Sequence, residues 1–300
     1  MSLRRFQFAA IAAAAIAAGS ATVAAAGPWS LAPGEYYTEL RGSFFSTGTY
    51  YDDDGVRMPY GGLLEQRALS SYTELGWKKR WSVQLALPAV SNTVRAEAGP
   101  TATRSGFGDF DLGLRLSLAN GARATAIQLN WSAPSGYNSD LQPGLGSGLQ
   151  LLSAGLQTGA PLGGRGFVEA GAAYQTEFFT LGAREKAPEG ATLPLPRKSD
   201  WADHVAVHAA LALWMGNLQV AGLYAGDFTT QTGRPWETTL HLAGPRFTYR
   251  VDDRLDAFFG SWHSPTGRNV PHLDQYYAGV SWKSTKLNRL QGFLGGAKRP

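Results

Sequence analysis

From Phe110 to Leu118 every second residue is apolar: Phe110, Leu112, Leu114, Leu116 and Leu118. The residues between them, Asp109, Asp111, Gly113, Arg115 and Ser117, are small or polar. A period of two is that of a β-strand, whose successive side chains point to opposite faces. Asn120-Gly121 follows, the dipeptide that a tight type I′ hairpin turn favours. The return strand places Thr125, Ile127, Leu129 and Trp131 on one face and Ala124, Ala126, Gln128 and Asn130 on the other.

The alternation recurs along the chain. It predicts strands over 35–46, 67–77, from Trp81 onward, and over 149–158, 168–178, 201–214, 218–228, 237–250, 255–263 and 273–282. In the tenth strand Gly244-Pro245 is expected to shift the parity through a bulge. Turns at 78–80, 161–164, 215–217 and 251–254 are short. The opposite connections, 47–64, 90–104, 132–148, 181–199 and 264–272, are longer and polar, with a shorter loop over 229–236. About ten residues per strand suits a tilted crossing of a hydrocarbon core of roughly 30 Å. The expected fold is therefore all-β: a closed antiparallel transmembrane β-barrel of about 12 strands, with short periplasmic turns and long extracellular loops. Apolar faces meet lipid and polar faces line the interior. Trp77 and Trp81 bracket a basic turn, as girdle residues do at headgroup level.

Composition sharpens this picture. Charged residues make up 17%, and the chain holds 37 Gly, nine Trp, twelve Tyr and fourteen Phe. Beyond the amino terminus no apolar run is long enough for a membrane helix. There is no cysteine, so disulfides and thiolate metal sites are excluded. Arg4 and Arg5, the apolar run 6–18 and Ala24-Ala25-Ala26 form the three parts of a secretory leader. The expected organisation is a cleaved signal peptide over 1–26, a barrel over 27–282 and a polar tail over 283–300. Removing two leader arginines from a net +4 leaves +2, and no basic patch suggests nucleic acid.

Charged side chains are expensive against lipid, so parity assigns them to the lumen. The candidate lumen-lining residues are Glu39, Arg41, Glu74, Asp109, Asp111, Arg115, Glu169, Glu177, Asp203, His204, His208 and Asp227. They either pair across the interior and fill it or leave a polar path with selectivity. Acids outnumber bases, which favours cations or neutral solutes. His204 and His208 share a face but stand four residues apart, roughly 13 Å on a strand, too far for one metal ion. Asp52-Asp53-Asp54 lacks the spaced ligands of a calcium loop. No cofactor or metal is expected. Outer-membrane lipid and a small solute are the expected partners, with no obligate protein partner evident.

Two rival readings stand beside the channel. A lipid-cleaving barrel enzyme is suggested by His241, His263 and Ser264. Neighbours in a strand face opposite ways, so His263 and Ser264 cannot easily pair, and no G-x-S-x-G elbow is present. The expectation is that the chain is not an enzyme. A soluble periplasmic β-sandwich would instead bury the leucine rows against a second sheet.

The stretches WSVQLALPAV, GFGDFDLGLRLSLANG, IQLNWSAPSGY, LGSGLQLLSAGLQ and SPTGRNVPHLDQYYAGVSW resemble the meta-pathway of phenol degradation family. The shared pattern is a strand ending in Leu-Pro, a Gly-x-Gly-Asp strand, a Pro-x-Gly loop start and a Leu-Gly-x-Gly re-entry. Pro134-Ser135-Gly136 stands where the family has Pro-Thr-Gly. The resemblance, over about 190 residues from Trp77 onward, implies an outer-membrane barrel that passes or binds small molecules, with hydrophobic or aromatic compounds as the implied cargo.

Overall fold

The computed structural model describes residues 28–97, 100–137, 143–179, 203–230 and 237–284. The expected signal peptide, most of the tail, the side chain of Glu177 and the whole 181–199 connection lie outside the described residues. The strands are β1 (Tyr36–Tyr51), β2 (Arg57–Lys78), β3 (Trp81–Ala96), β4 (Thr101–Phe107), β5 (Asp109–Ala119), β6 (Ala124–Pro134), β7 (Gln150–Pro161) and β8 (Gly166–Phe179). They continue as β9 (His204–Met215), β10 (Leu218–Thr229), β11 (Thr239–Arg250), β12 (Leu255–His263), β13 (Gly267–Arg268), β14 (Val270–Pro271) and β15 (Asp274–Lys283).

Each long strand pairs antiparallel with its chain neighbours. β15 pairs with both β12 and β1, which closes the ring. β4 and β5 form a single staved strand interrupted at Gly108, whose N–H still donates to the Pro88 carbonyl at 2.8 Å. The two-residue strands β13 and β14 sit above the ring on β11 and β1. The result is a closed antiparallel β-barrel of 12 strands, with no helix among the described residues. No opposing sheet covers the leucine rows, so the sandwich reading fails.

Closure leaves each strand one face in and one face out. Outward lie Leu40, Leu69, Leu85, Leu112, Leu129 and Leu211, between 37% and 52% exposed. Inward lie Glu39, Glu74, Ser82, Gln84, Arg115 and Gln128, none above 7%. An apolar outside and a polar inside is the pattern of a barrel solvated by lipid. Trp77 and Trp282 are exposed at the end carrying the short turns, and the Lys78 ammonium lies 4.8 Å from the Trp77 ring centre. Because Leu85 sits mid-strand on the outside, Leu85→Arg is expected to destabilise the barrel by about 2–4 kcal/mol. Urea unfolding in lipid vesicles measures this. The inward Ala173→Ser, on the wall of the polar cavity, should stay within about 1 kcal/mol of the parent.

Four local expectations differ. The 47–64 and 90–104 stretches are not loops: β1 runs on to Tyr51, β2 starts at Arg57, and β3 pairs with β4 up to Arg95. Their alternation is blurred because the oily side changes there: Tyr60, Leu64 and Val94 turn inward onto Phe45, while no leucine row continues outside. Asn120-Gly121 does not form a type I′ turn, since neither residue has a positive φ. The turn spans four residues, the ladder shifts between Ser117 and Ala119, and the Asn120 amide donates to Ser30 at 3.0 Å. Gly244-Pro245 produces no register shift. Proline, lacking an N–H, only leaves a gap in the β11–β12 ladder there. Finally, Lys283 belongs to β15 and is 2% exposed, so the barrel extends one residue into the expected tail.

Candidate functional site

The interior divides into two levels. The level near the short turns is filled. Glu74 is fully buried and accepts hydrogen bonds from Arg115 Nη1 at 3.0 and 2.9 Å, Ser82 at 2.5 Å and the Tyr72 hydroxyl at 3.0 Å. With its amide oxygen toward the guanidinium, Gln84 accepts from Arg115 Nη2 at 2.8 Å and Nε at 3.1 Å. On the neighbouring strand β1, Glu39 accepts from Arg246 at 2.9 Å and from the Tyr37 hydroxyl at 2.9 Å. The Arg246 guanidinium lies 3.9 Å from the Phe258 ring centre, and Arg41 lies 5.7 Å from that of Tyr277. Lys283 donates to Asp256 at 2.6 Å.

The chain before β1 adds to this filling. Pro28, Ser30 and Leu31 are buried, and Leu31 packs with Tyr37, Tyr72 and Ala86 on the inner wall. Gly34 N–H donates to the Gly76 carbonyl and Gly76 N–H to the Glu35 carbonyl, both at 2.8 Å. A side chain at Gly76 would overlap the Ala32 carbonyl, so glycine lets the segment lie against the wall. Trp29 meets the inward ring of Phe167 edge-on at 5.5 Å. These contacts place the segment inside the barrel mouth.

The other level is open. A cavity of about 200 Å³ reaches toward the long-loop side. One wall is a row of amides: Gln84 to Gln128 at 2.7 Å and Gln128 to Gln157 at 2.7 Å. Gly113 stands between them, where a Cβ would lie 2.7 Å from the end of the Gln84 amide; glycine lets the amides meet over β5. The facing wall is apolar, with Ala225, Leu240 and Leu242. It belongs to a cluster that takes in Phe258, Trp262, Val270 and Leu273, so the 264–273 connection folds in over β11 and β12. His204 Nδ1 and Asp227 Oδ1, 2.5 Å apart, close the upper rim.

The candidate residues fall into three groups. Glu39, Arg41, Glu74, Arg115 and Glu169 are buried in the filled level. Both Glu169 carboxylate oxygens lack a hydrogen-bond partner among the described residues. Asp109, Asp111, His204, His208 and Asp227 line the cavity. Asp109 also tethers the loop above: it accepts from Ser147 N at 2.6 Å, Ser147 Oγ at 2.7 Å and the Tyr137 hydroxyl. Burial and the nearby Asp109 carboxylate push the Tyr137 hydroxyl up, so it stays protonated as a donor. Asp111 accepts from Ser132. Asp203 is the exception. It accepts from Tyr174, a ring 47% exposed on the outer face, so it lies outside the lumen; strand parity opposite His204 puts it there. Arg246, Asp256 and Lys283 are inward charges absent from the expected set. The parity shift expected at Gly244-Pro245 hid Arg246; an unbroken β11 carries it on the face of Leu240 and Leu242.

His263 and Ser264 do not pair. Ser264 is buried and its hydroxyl accepts from Leu273 N–H at 2.7 Å, while His263 points outward. No group of three His, Asp or Glu placed to hold a metal occurs among the described residues.

No protein-family profile and no curated protein sequence matches the chain. Solved structures do. The COG4313 outer membrane channel from Pseudomonas putida F1 superposes with a TM-score of 0.70 at 13% identity, over 87% of this chain and 100% of that one. The NanC porin superposes with a TM-score of 0.50 at 9% identity, over 82% and 100%. The transport unit of the autotransporter AIDA-I from Escherichia coli gives 0.50 at 8%, over 92% and 98%. This chain shares the fold of outer-membrane barrels.

Proposed function

We propose that the chain is an outer-membrane channel that binds and passes small, neutral or cationic molecules with an apolar body and a hydrogen-bonding edge. The observation that carries this reading is the two-sided cavity. Amides along Gln84, Gln128 and Gln157 face Leu240, Leu242 and Ala225. A planar solute with one polar edge satisfies both walls, and the amides offer donors and acceptors without a fixed charge. The described lining holds Asp109, Asp111 and Asp227 but no Lys or Arg, which disfavours anions. The resemblance of the stretch from Trp77 onward to the phenol-degradation family supports aromatic cargo, with outer-membrane lipid as the surrounding partner. The channel fold of the Pseudomonas neighbour supports passage.

The reading is tested by uptake of a phenol and of a sugar of similar mass into proteoliposomes. Phenol entry should exceed entry into empty liposomes, and the sugar should not. Ala206 faces the cavity from β9. Ala206→Trp should cut phenol uptake at least about fivefold, since an indole fills much of a cavity this size, while the barrel keeps its heat-dependent gel shift. Unchanged uptake would move the path away from this cavity.

A further inference from the structure

The outer face of β12 and β15 carries an arrangement that no channel role uses. Ser261 and His263 stand two apart on β12 and so share the outward face. The Ser261 hydroxyl lies 3.2 Å from His263 Nε2. His263 Nδ1 lies 2.7 Å from Asp274 Oδ1, and the two residues are direct cross-strand partners. Hydroxyl, imidazole and carboxylate are thus joined in series, each through the correct ring nitrogen for a nucleophile, a base and the group that fixes its tautomer. His272 Nδ1 lies 3.7 Å from the other Asp274 oxygen.

Position adds a second argument. His263 is the last residue of β12 and Asp274 the first of β15, so the trio sits where the apolar band ends on the long-loop side. Ester carbonyls of a lipid leaflet lie at that depth, between acyl chains and headgroups. Toward mid-membrane the same face continues as Phe259, 58% exposed, stacked on Phe247 at 4.8 Å. Tyr276, also 58% exposed, is Ser261's cross-strand partner, and its ring stands edge-on to His263 at 6.3 Å. His263 and Asp274 side chains are 47% and 43% exposed, while Ser261 is 9% exposed beneath them, so an ester reaches its hydroxyl by passing between the His263 and Tyr276 rings. An acyl chain along these rings would bring its ester to the Ser261 hydroxyl.

We propose that Ser261, His263 and Asp274 form a hydrolytic site for long-chain acyl esters on the lipid-facing surface. Ser261 Oγ bonds to the ester carbonyl carbon as its proton passes to His263 Nε2. The carbon–oxygen bond to the alcohol then breaks, and the alcohol leaves with that proton. Water repeats the two steps on the acyl-serine, releasing the fatty acid. Ser261 and His263 are the catalytic residues. Asp274 is a positioning residue that holds the Nδ1 proton. The site is outside the barrel, so its fate is independent of the channel reading.

The test uses the full barrel in detergent micelles and in phospholipid vesicles. A fluorophosphonate probe should label the parent, and Ser261→Ala and His263→Asn should each lower labelling by about 100-fold or more. Ser71→Ala, at an outward serine on another wall, should leave it unchanged. A dodecanoyl p-nitrophenyl ester should be cleaved at least about tenfold faster than the butanoyl ester, with fatty acid released from the vesicles. Asp274→Asn should lower kcat at unchanged KM, and Asp274→Glu should restore part of it. The proposal is overturned by an unlabelled parent, by equal labelling of Ser261→Ala while that variant keeps its heat-dependent gel shift, or by equal rates on the two esters.

Discussion

Arg115→Met is expected to cost the barrel about 3–5 kcal/mol, the penalty of leaving a buried ion without its partner. Arg115 is 1% exposed and Glu74 is fully buried. Removing the guanidinium strands a carboxylate whose remaining donors, Ser82 and Tyr72, are neutral. Water reaches it poorly, because Leu31 and the chain around it cap that end of the barrel. The double variant Glu74→Gln/Arg115→Met removes both charges and should recover most of the loss, since a neutral filling of similar volume often matches a buried pair. Urea unfolding followed by tryptophan fluorescence checks this, with a lower midpoint at unchanged slope. If Arg115→Met unfolds at the parent's midpoint, the ion pair carries little of the structure. Arg246→Met should cost less. Its side chain is 11% exposed, and Glu39 keeps a second cation, Arg41, nearby.

Strand parity was legible in the sequence because lipid punishes error. Leu112, Leu114 and Leu116 must share one face, and that fixes Asp111, Gly113 and Arg115 on the other. Legibility stops where the outward leucine rows stop: residues 47–64 and 90–104 form strands whose apolar side chains, Tyr60, Leu64 and Val94, turn inward onto Phe45 instead. At Asn120-Gly121 local turn preference loses to a tertiary contact with Ser30. Arg246 and Asp256 required knowing that β11 runs straight through Pro245. The site divides along the same line. Glu74 and Arg115 could be assigned inward separately, but their pairing spans β2 and β5, which are not neighbours in the ring. Ser261 and His263 share a face by spacing alone. Asp274 joins them only through the β12–β15 register. The segment 28–34 has no period at all, and nothing in its composition announces that it enters the barrel.

Deleting residues 28–34 is expected to raise single-channel conductance at least about twofold. The segment crosses the mouth that the amide-lined cavity would otherwise open into, held by side-chain packing and isolated hydrogen bonds rather than by a strand ladder. The segment adds no strand to the ring, so it can leave while the barrel persists; the parent should show brief openings and the deletion variant long ones. Gly76→Val tests the same idea without shortening the chain. The added side chain overlaps the Ala32 carbonyl, displaces the segment, and should lengthen openings while the ring of strands persists. Asn120→Ala removes the Ser30 contact alone and should shift open time by less. Equal conductance in the parent, the deletion and Gly76→Val would mean that the buried charges around Glu74 and Glu39, rather than the segment, set the resistance of the path.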